Sequence, residues 1–220
     1  SDVPAILKYT RNVYFIENEE IVELSKKDVH FYNSDVEEIE KEMSEVKWDI
    51  SAAEKSGYEH FMLKEIYEQP KALRDTISPR VKNGEIVIDE LTMTEEDIKN
   101  IKKIFIVACG SAYHAGVNGK YVIEGAARIP VEVDLASEFR YRNPILEEGT
   151  LVIIISQSGE TADSIAALRE AKSRGIKVLG IVNVVGSTIA RESDNVMYTW
   201  AGPEIAVATT KAYSTQLSAL

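Results

Sequence analysis

Short apolar runs alternate with longer helical patterns through the second half of the chain. Five such runs read as strands: 104–108, 131–135, 151–155, 178–182 and 195–200. Apolar runs of this length, separated by helical stretches, predict strands buried on both faces of a parallel sheet. The expected fold is therefore α/β, a five-stranded parallel sheet with helices on both faces in the flavodoxin-like order 2-1-3-4-5.

The boundaries of two helices can also be predicted in this half. The helix after 151–155 is expected to start near Ala162 and to end at Gly175, a suitable C′ residue. Residues 205–220 are expected to close the chain as one helix. Small residues Ala115, Gly116 and Gly119 in the helix after the first strand predict close packing rather than chemistry.

The first half reads differently. Residues 3–9 could form a helical turn, and three β-rich runs at 12–16, 20–24 and 29–33 predict a short β-meander. Three strands bury little, so this meander is expected to belong to a larger sheet. The acidic stretch 34–46 predicts a solvated linker helix.

A helical pattern then runs from Trp48 to Ile77. Pro70 is expected to open a second helix at its first turn. Apolar side chains recur at helical spacing at Phe61, Met62, Ile66 and Tyr67, and Met62 and the two aromatics are expected in the core. The polar stretch 82–97 contains one strand-like run at 85–88 and is expected to connect to the sheet.

Composition narrows the functional classes. With a formal net charge of −11, the chain lacks the basic stripe that a nucleic-acid-binding protein needs. No apolar run is long enough to cross a bilayer. The single cysteine, Cys109, excludes an intrachain disulfide framework and favours a cytoplasmic protein. The chain begins without Met and ends in a helical pattern without a stop signal, so both ends are expected to lie within a longer protein.

Two loops carry the candidate chemistry. Cys109, Gly110, Ser111 and Ala112 follow the first strand, and 156–161 follows the third with the side chains of Ser156, Gln157, Ser158 and Thr161. Each loop leaves a buried strand and enters a helix, whose N-terminal N–H groups favour an anion. In the predicted strand order these loops meet at the switch point, where open α/β sheets bind ligands.

The chemistry of these loops favours a sugar phosphate over a dinucleotide. Hydroxyl and amide groups dominate, and neither G-x-G-x-x-G nor G-x-x-x-x-G-K-[ST] occurs in the sequence. The simpler alternative is that Ser156, Ser158 and Thr161 only cap a helix and form a turn.

Other candidate residues leave alternatives open. Cys109 reads as a small residue at a strand end rather than a nucleophile, because no histidine pairs with it at a defensible spacing. The three histidines His30, His60 and His114 show no ligand spacing, so no metal site is expected. Near the last helix, Glu204, Thr209, Thr210 and Lys211 could complete the anion site, or Lys211 could pair with Glu204.

Several motifs, in this order and spacing, resemble one enzyme family. They are CGSAYHAG, SEFRYR, SQSGETADS, RESD and EIAVATTKAYSTQL. SQSGETADS is similar to the sugar isomerase (SIS) domain, and the set resembles the glutamine–fructose-6-phosphate aminotransferases, or glucosamine-6-phosphate synthases. The resemblance implies that residues 1–46 are the end of a glutaminase domain with its linker. Residues 47–220 would then be the first SIS subdomain, with a helical lead-in at 47–100 and an α/β core at 101–220.

The resemblance also implies the ligand and its contacts. Enzymes of that family transfer glutamine-derived ammonia to fructose 6-phosphate and form glucosamine 6-phosphate. The residues carried over as sugar-phosphate ligands are Ser111, Ser156, Gln157, Ser158, Thr161, Val207 and Thr209, followed by Cys109, Gly110 and Ala112. Ala112 replaces a Ser of the commoner family motif, so a side-chain contact is lost there.

The family's catalytic residues match no position of this chain. The resemblance therefore implies a binding half that is inactive alone, without cofactor or metal, in a homodimer that receives ammonia from a glutaminase domain. Two alternatives remain: another SIS sugar-phosphate isomerase, or a regulatory module that senses a phosphosugar. Neither accounts for residues 1–77.

Overall fold

The computed structural model describes residues 9–17, 19–45 and 55–220. They fall into two compact units that divide between Ser56 and Gly57. The helical turn expected within 3–9 and the start of the helical pattern at Trp48 lie largely outside the described residues. The domain boundary between 46 and 47 stays a prediction.

Two small antiparallel sheets occupy the first unit. One pairs β1 (Asn12–Val13) with β5 (Ser44–Glu45), and the other is a meander of β2 (Ile21–Leu24), β3 (Val29–Tyr32) and β4 (Glu38–Ile39). The strands predicted at 20–24 and 29–33 are confirmed. The prediction at 12–16 is wrong, because the strand there has two residues and pairs outside the meander.

The linker helix predicted at 34–46 is wrong, since β4 and β5 occupy its described part. The side chain of Asn33 accepts hydrogen bonds from the N–H groups of Asp35 and Glu37, at 3.0 and 2.9 Å. This Asx turn reverses the chain. Ile39 then pairs with Phe31, which is buried. A turn and one apolar contact outweigh the helical preference of an acidic stretch.

The second unit begins with α1 (Phe61–Ile77), which runs unbroken through Pro70. The prediction that Pro70 opens a second helix is therefore wrong. Proline has no N–H for the carbonyl of Ile66, four residues earlier. The side-chain amide of Gln69 donates to that carbonyl instead, at 3.1 Å. This bond replaces part of what the proline removes.

The face that α1 buries is also not the predicted one. Met62 and Tyr67 were expected in the core but are 44% and 66% exposed. Lys64 and Glu65 are buried instead, at 5% and 2% exposure. The apolar pattern predicts that one side of α1 is hydrophobic. The side that packs against the rest of the second unit is instead the one that carries Lys64 and Glu65.

Short elements connect α1 to the main sheet. The order is a 3₁₀ turn (Ser78–Arg80), the hairpin of β6 (Val81–Lys82) and β7 (Glu85–Ile86), and α2 (Glu95–Lys99). The strand-like run at 85–88 is thus confirmed for its first two residues. Thr94 and Asp97 form a reciprocal capping box at the start of α2.

The main sheet has five strands: β8 (Lys103–Ala108), β9 (Val131–Leu135), β10 (Thr150–Ser156), β11 (Lys177–Val182) and β12 (Asn195–Tyr198). All four pairings are parallel, and the spatial order is β12-β11-β10-β8-β9. In order of sequence this is 5-4-3-1-2, so the predicted flavodoxin-like order is confirmed.

Helices cover both faces of this sheet. They are α3 (Ser111–Ala127), α4 (Ala136–Phe139), α5 (Ala162–Ser173), α6 (Thr188–Glu192) and α7 (Lys211–Ala219). Alternate residues of β10 enter two separate apolar cores, with Ile154 in one and Ile153 in the other. Side chains of a strand point alternately to opposite faces, so an uninterrupted apolar strand requires cover on both sides.

Two further helix predictions have different outcomes. α5 ends as predicted, with Gly175 at a positive φ of 74° and its N–H bonded to the carbonyl of Lys172. The helix predicted at 205–220 begins only at Lys211. Close packing at Gly116 is confirmed, because a Cβ there would meet a methyl group of Ile106 at 2.8 Å.

Among the described residues, no helix has both the length and the apolar character needed to cross a membrane.

Candidate functional site

The candidate site lies where β8 and β10 end side by side. Ala108 and Ile155 are register partners in these strands, so the loops that follow leave the same edge of the sheet. A cavity of about 580 Å³ opens there. All ten predicted ligand residues line it: Cys109, Gly110, Ser111, Ala112, Ser156, Gln157, Ser158, Thr161, Val207 and Thr209. The predicted meeting of the two loops is therefore observed.

Residues 156–161, here called the serine loop, are held in part by their own side chains. The Ser156 hydroxyl oxygen accepts a hydrogen bond from the N–H of Gly159 at 3.0 Å and lies 3.1 Å from the hydroxyl of Thr161. The Ser158 hydroxyl accepts from the N–H of Glu160 at 3.2 Å. These bonds fold six residues into a tight turn at the mouth of the cavity.

A neighbouring turn fixes the outer side of the serine loop. Gly159 has a φ of 67°, and a Cβ there would lie 2.0 Å from the hydroxyl oxygen of Ser187. The carbonyl oxygen of Gly159 accepts a hydrogen bond from the N–H of Ile189. The carboxylate of Glu160 accepts one from the N–H of Thr188. Only glycine combines this backbone conformation with so close a contact.

The electrostatics of the site favour an anion. α3 begins at Ser111 and α5 at Ala162, directly after the two loops. The first N–H groups of a helix have no acceptor within it, and the helix dipole is positive at that end. Neither helix has a side-chain cap at its N-cap residue, Gly110 or Thr161. The Thr161 hydroxyl is thus not a helix cap, although Ser156 and Ser158 do form the turn that the simpler alternative describes.

The first loop contributes a thiol and a hydroxyl. Ser111 is exposed, and Cys109 is half-buried. The sulfur of Cys109 lies 3.9 Å from the hydroxyl oxygen of Ser164 in α5. Ala112 is buried and presents only a methyl group. The described ranges contain no group of three His, Cys, Asp or Glu side chains placed to hold a metal ion.

Residues 201–210, here called the connecting loop, contribute Val207, Ala208 and Thr209 to the cavity. Two carboxylates bind this loop through its backbone. Glu65 of α1 accepts hydrogen bonds from the N–H groups of Ile205 and Ala206 at 2.6 and 3.0 Å. Glu204 accepts from those of Thr210 and Ala212 at 2.8 and 3.1 Å. A helix starting at residue 205 would bond the N–H groups of Thr210 and Ala212 internally, whereas here both bond to Glu204 and α7 begins at Lys211.

Lys211 was predicted either to complete the anion site or to pair with Glu204, and it does neither. Its ammonium group pairs with the carboxylate of Glu68 in α1 at 2.7 Å and is almost fully buried. It does not line the cavity, and its partner is not Glu204. Helix α1, whose buried face the sequence did not predict, supplies that partner.

Burial raises the pKa of Glu204 above its ordinary value, and the nearby carboxylate of Glu65 raises it further. The two N–H groups and the ammonium group of Lys211 act in the opposite direction. Burial prevails because removing a carboxylate from water disfavours its charged form.

Sequence reasoning missed Gln216 of α7, which lines the cavity and is 1% exposed. Its side-chain oxygen is buried without a hydrogen-bond partner among the described residues. In the sequence it stands within an ordinary helical pattern, so nothing there separates it from a core residue. Glu65 was missed for the same reason.

The family follows from a match to a protein-family model. The SIS domain model covers residues 97–220, more than half of the chain. The chain belongs to the SIS domain family. Its five-stranded parallel sheet, both site loops and the connecting loop all lie within the SIS domain.

Curated relatives support a narrower resemblance. Proteins named glutamine–fructose-6-phosphate aminotransferase [isomerizing] match over nearly the whole length of this SIS-domain chain. The one from Clostridium acetobutylicum is 64% identical over 218 residues. The one from Caldanaerobacter subterraneus subsp. tengcongensis is 65% identical over 221 residues. The resemblance inferred from the motifs is confirmed. The chain spans 36% of the length of each of these relatives.

A solved structure agrees with these relatives. The C-terminal domain of glucosamine-fructose-6-phosphate aminotransferase from Francisella tularensis superposes with a TM-score of 0.72 at 48% sequence identity. The superposition covers 76% of this chain and 47% of that one. The second unit therefore shares its SIS fold with a domain of that enzyme.

Proposed function

We propose that this chain is the sugar-phosphate-binding part of a glutamine–fructose-6-phosphate aminotransferase. The observation that carries the proposal is the cavity between the ends of β8 and β10, where hydroxyl groups and two helix N-termini converge. The relatives' name supports the choice of fructose 6-phosphate over other anions. Glucosamine 6-phosphate is the product expected to occupy the same cavity.

In the proposed complex the phosphate binds the serine loop. The hydroxyls of Ser156, Ser158 and Thr161, the amide of Gln157 and the first N–H groups of α5 would donate to its oxygens. Charged acceptors form the stronger hydrogen bonds, so these contacts supply most of the affinity.

The sugar would extend across the rest of the cavity. Ser111, Val207 and Thr209 are the proposed contacts to the hexose, with Cys109, Gly110 and Ala112 at the edge of the first loop. The thiol of Cys109 has no role as a nucleophile in this proposal. The backbone N–H of Ala112 remains available where its side chain is not.

The 220 residues are proposed to bind the sugar phosphate without converting it. Apart from the thiol of Cys109, the lining side chains are apolar or carry hydroxyl or amide groups. Isomerisation and amine transfer need groups that exchange protons with the substrate near neutral pH. In the whole enzyme, glutamine would supply ammonia through residues outside this chain, in a cytoplasmic homodimer. The single cysteine supports the cytoplasmic setting.

Calorimetric titration of the chain with fructose 6-phosphate, inorganic phosphate and fructose tests the proposal. We expect fructose 6-phosphate to bind more tightly than phosphate, and fructose to give no detectable heat. Equal affinity for phosphate and fructose 6-phosphate would argue against a sugar site and would leave only an anion site. Glucosamine 6-phosphate formed from fructose 6-phosphate and ammonia would contradict the absence of turnover.

A further inference from the structure

A buried polar layer lies behind the connecting loop. Helices α1 and α7 pack against each other, and between them lie Lys64, Glu65 and Lys211, each no more than 5% exposed. Burying charged side chains is costly unless they are paired and hydrogen-bonded. The hydrogen-bond and ion-pair partners of these side chains show which neighbouring segments they hold in place.

Within this layer the ion pair and the loop contact are separate. Glu68 forms the ion pairs, with Lys211 at 2.7 Å and with Lys64 at 3.6 Å. Glu65 binds no lysine within salt-bridge distance among the described ion pairs and instead accepts the N–H groups of Ile205 and Ala206. One turn of helix therefore separates a structural ion pair from a carboxylate that holds the cavity wall.

Glu65 binds the part of the connecting loop that directly precedes the cavity wall. Ile205 and Ala206 directly precede Val207, Ala208 and Thr209, which line the cavity. The side chain of Val207 is fully exposed, so packing of that side chain does not hold the loop. Hydrogen bonds from backbone N–H groups to a buried carboxylate are short and strong, and here they fix the two residues before the wall.

The second oxygen of Glu65 adds an independent observation. It is buried and has no hydrogen-bond partner in the described part of the chain. A buried acceptor without a donor destabilises the folded state, so packing alone does not account for a carboxylate at this position. Its carboxylate also raises the pKa of Glu204, the other residue that binds the loop.

We propose that Glu65 is a positioning residue of the cavity, whose carboxylate fixes the connecting loop so that residues 207–209 can contact the sugar. The ligand in this inference rests on the proposed function, whereas the control of the loop does not. Because the phosphate is assigned to the serine loop, Glu65 governs affinity for the sugar and not for the phosphate.

Binding by three variants tests the inference. In Glu65→Ala, we expect the Kd for fructose 6-phosphate to rise about tenfold, and the Kd for inorganic phosphate to stay within about twofold. Glu65→Gln should restore most of the sugar-phosphate affinity, because its carbonyl oxygen can accept the same two N–H groups. Glu68→Gln is the matched control: it should lower stability by leaving Lys211 without its partner, and leave the ratio of the two Kd values unchanged. An unchanged ratio in Glu65→Ala would overturn the inference.

A ligand-free measurement separates this inference from the proposed function. Hydrogen exchange in Glu65→Ala should accelerate in peptides covering 203–210 and remain unchanged in the serine loop. If Glu65→Ala does not fold, the amide proton resonances of Ile205 and Ala206 in Glu65→Gln decide, and they should move upfield as the charge is lost. Unchanged exchange, or unchanged resonances, would contradict the inference. If the wild type binds neither ligand, the proposed function fails, and the exchange data still decide the role of Glu65.

Discussion

The serine loop and the connecting loop line the same cavity but are stabilised differently. In the serine loop, Ser156 and Ser158 accept N–H groups two or three residues away. In the connecting loop, Glu65 accepts N–H groups 140 and 141 residues away. The first loop is thus held by bonds within itself and to residues 183–189 of the next turn, whereas Ile205 and Ala206 of the second depend on the docking of α1. Local hydrogen bonds can form wherever the segment folds, but distant ones require the whole second unit.

This difference assigns separate duties to the two loops in the proposed complex. A phosphate has the same shape and charge in every sugar phosphate. A loop held by itself and by the following turn is therefore sufficient to bind it. The sugar differs between ligands, and its contacts come from the loop that distant residues position. Changes to the serine loop should therefore affect every phosphorylated ligand, and changes to the connecting loop should affect discrimination between them.

The largest expected effect is that of Gly159→Ala in the serine loop. The new Cβ would collide with Ser187, and alanine at a φ of 67° is strained. Overpacking costs about 1–3 kcal/mol and the left-handed conformation about 1–2, so the free energy of unfolding should fall by roughly 2–5 kcal/mol. Urea unfolding measures this. Gly175→Ala is the control, because its φ is 74° and a Cβ there has no neighbour within 4 Å. Equal losses in the two variants would show that the close contact has no effect.

An intermediate effect is expected for Thr161→Val, which removes one hydroxyl from the serine loop and keeps the shape of the side chain. A hydrogen bond to a charged group contributes about 1.5–3 kcal/mol. The Kd values for inorganic phosphate and for fructose 6-phosphate should therefore both rise roughly tenfold to hundredfold. In the connecting loop, Thr209→Val is the matched comparison and should weaken only fructose 6-phosphate binding. The contrast between the loops would be lost if Thr209→Val weakened phosphate binding equally, as calorimetry can establish.

The smallest effect concerns Glu204 and the dependence of stability on pH. Burial raises the pKa of Glu204 in the folded protein, so the folded state binds its proton more tightly than the unfolded state. Its contribution is then fully present below the ordinary pKa of about 4.3 and is lost as the pH rises through the raised pKa. Glu204→Gln keeps an acceptor for Thr210 and Ala212 but does not titrate.

The wild type should accordingly lose stability relative to Glu204→Gln as the pH rises from about 4.3 through the raised pKa of Glu204. Urea unfolding at several pH values, with both proteins in the same buffers, measures the difference. A stability difference that is constant with pH would mean that Glu204 titrates equally in the folded and unfolded states.

Much of the second unit could be predicted from the sequence because its strands are buried on both faces. An uninterrupted apolar run such as 151–155 has few alternatives to a central strand, and the Gly and hydroxyl residues after it can only form a loop. The strand order followed, and with it the convergence of the serine loop and residues 109–112. Each of these strands and loops depends on residues close together in sequence, and the strand order follows from the handedness of the connections between them.

The first unit and α1 were predicted less well, since their patterns were compatible with more than one structure. The acidic stretch 34–46 was compatible with a helix. In the structure, the turn at Asn33 and the pairing of Ile39 with Phe31 make part of it a strand. The apolar side of α1 could face the core, yet Met62 and Tyr67 are exposed. Periodicity gives the shape of an element but not the surface against which it packs.

The sequence by itself determined the α/β sheet and the serine loop, and it is the origin of the proposed ligand class. Only the tertiary structure decided how the connecting loop is held, why α7 begins at Lys211 and which residues support the cavity from behind. The physical reason is the range of the interactions. Capping, turns and strand burial act within a few residues, whereas Glu65 and Glu68 acquire their roles only when α1 packs against α7.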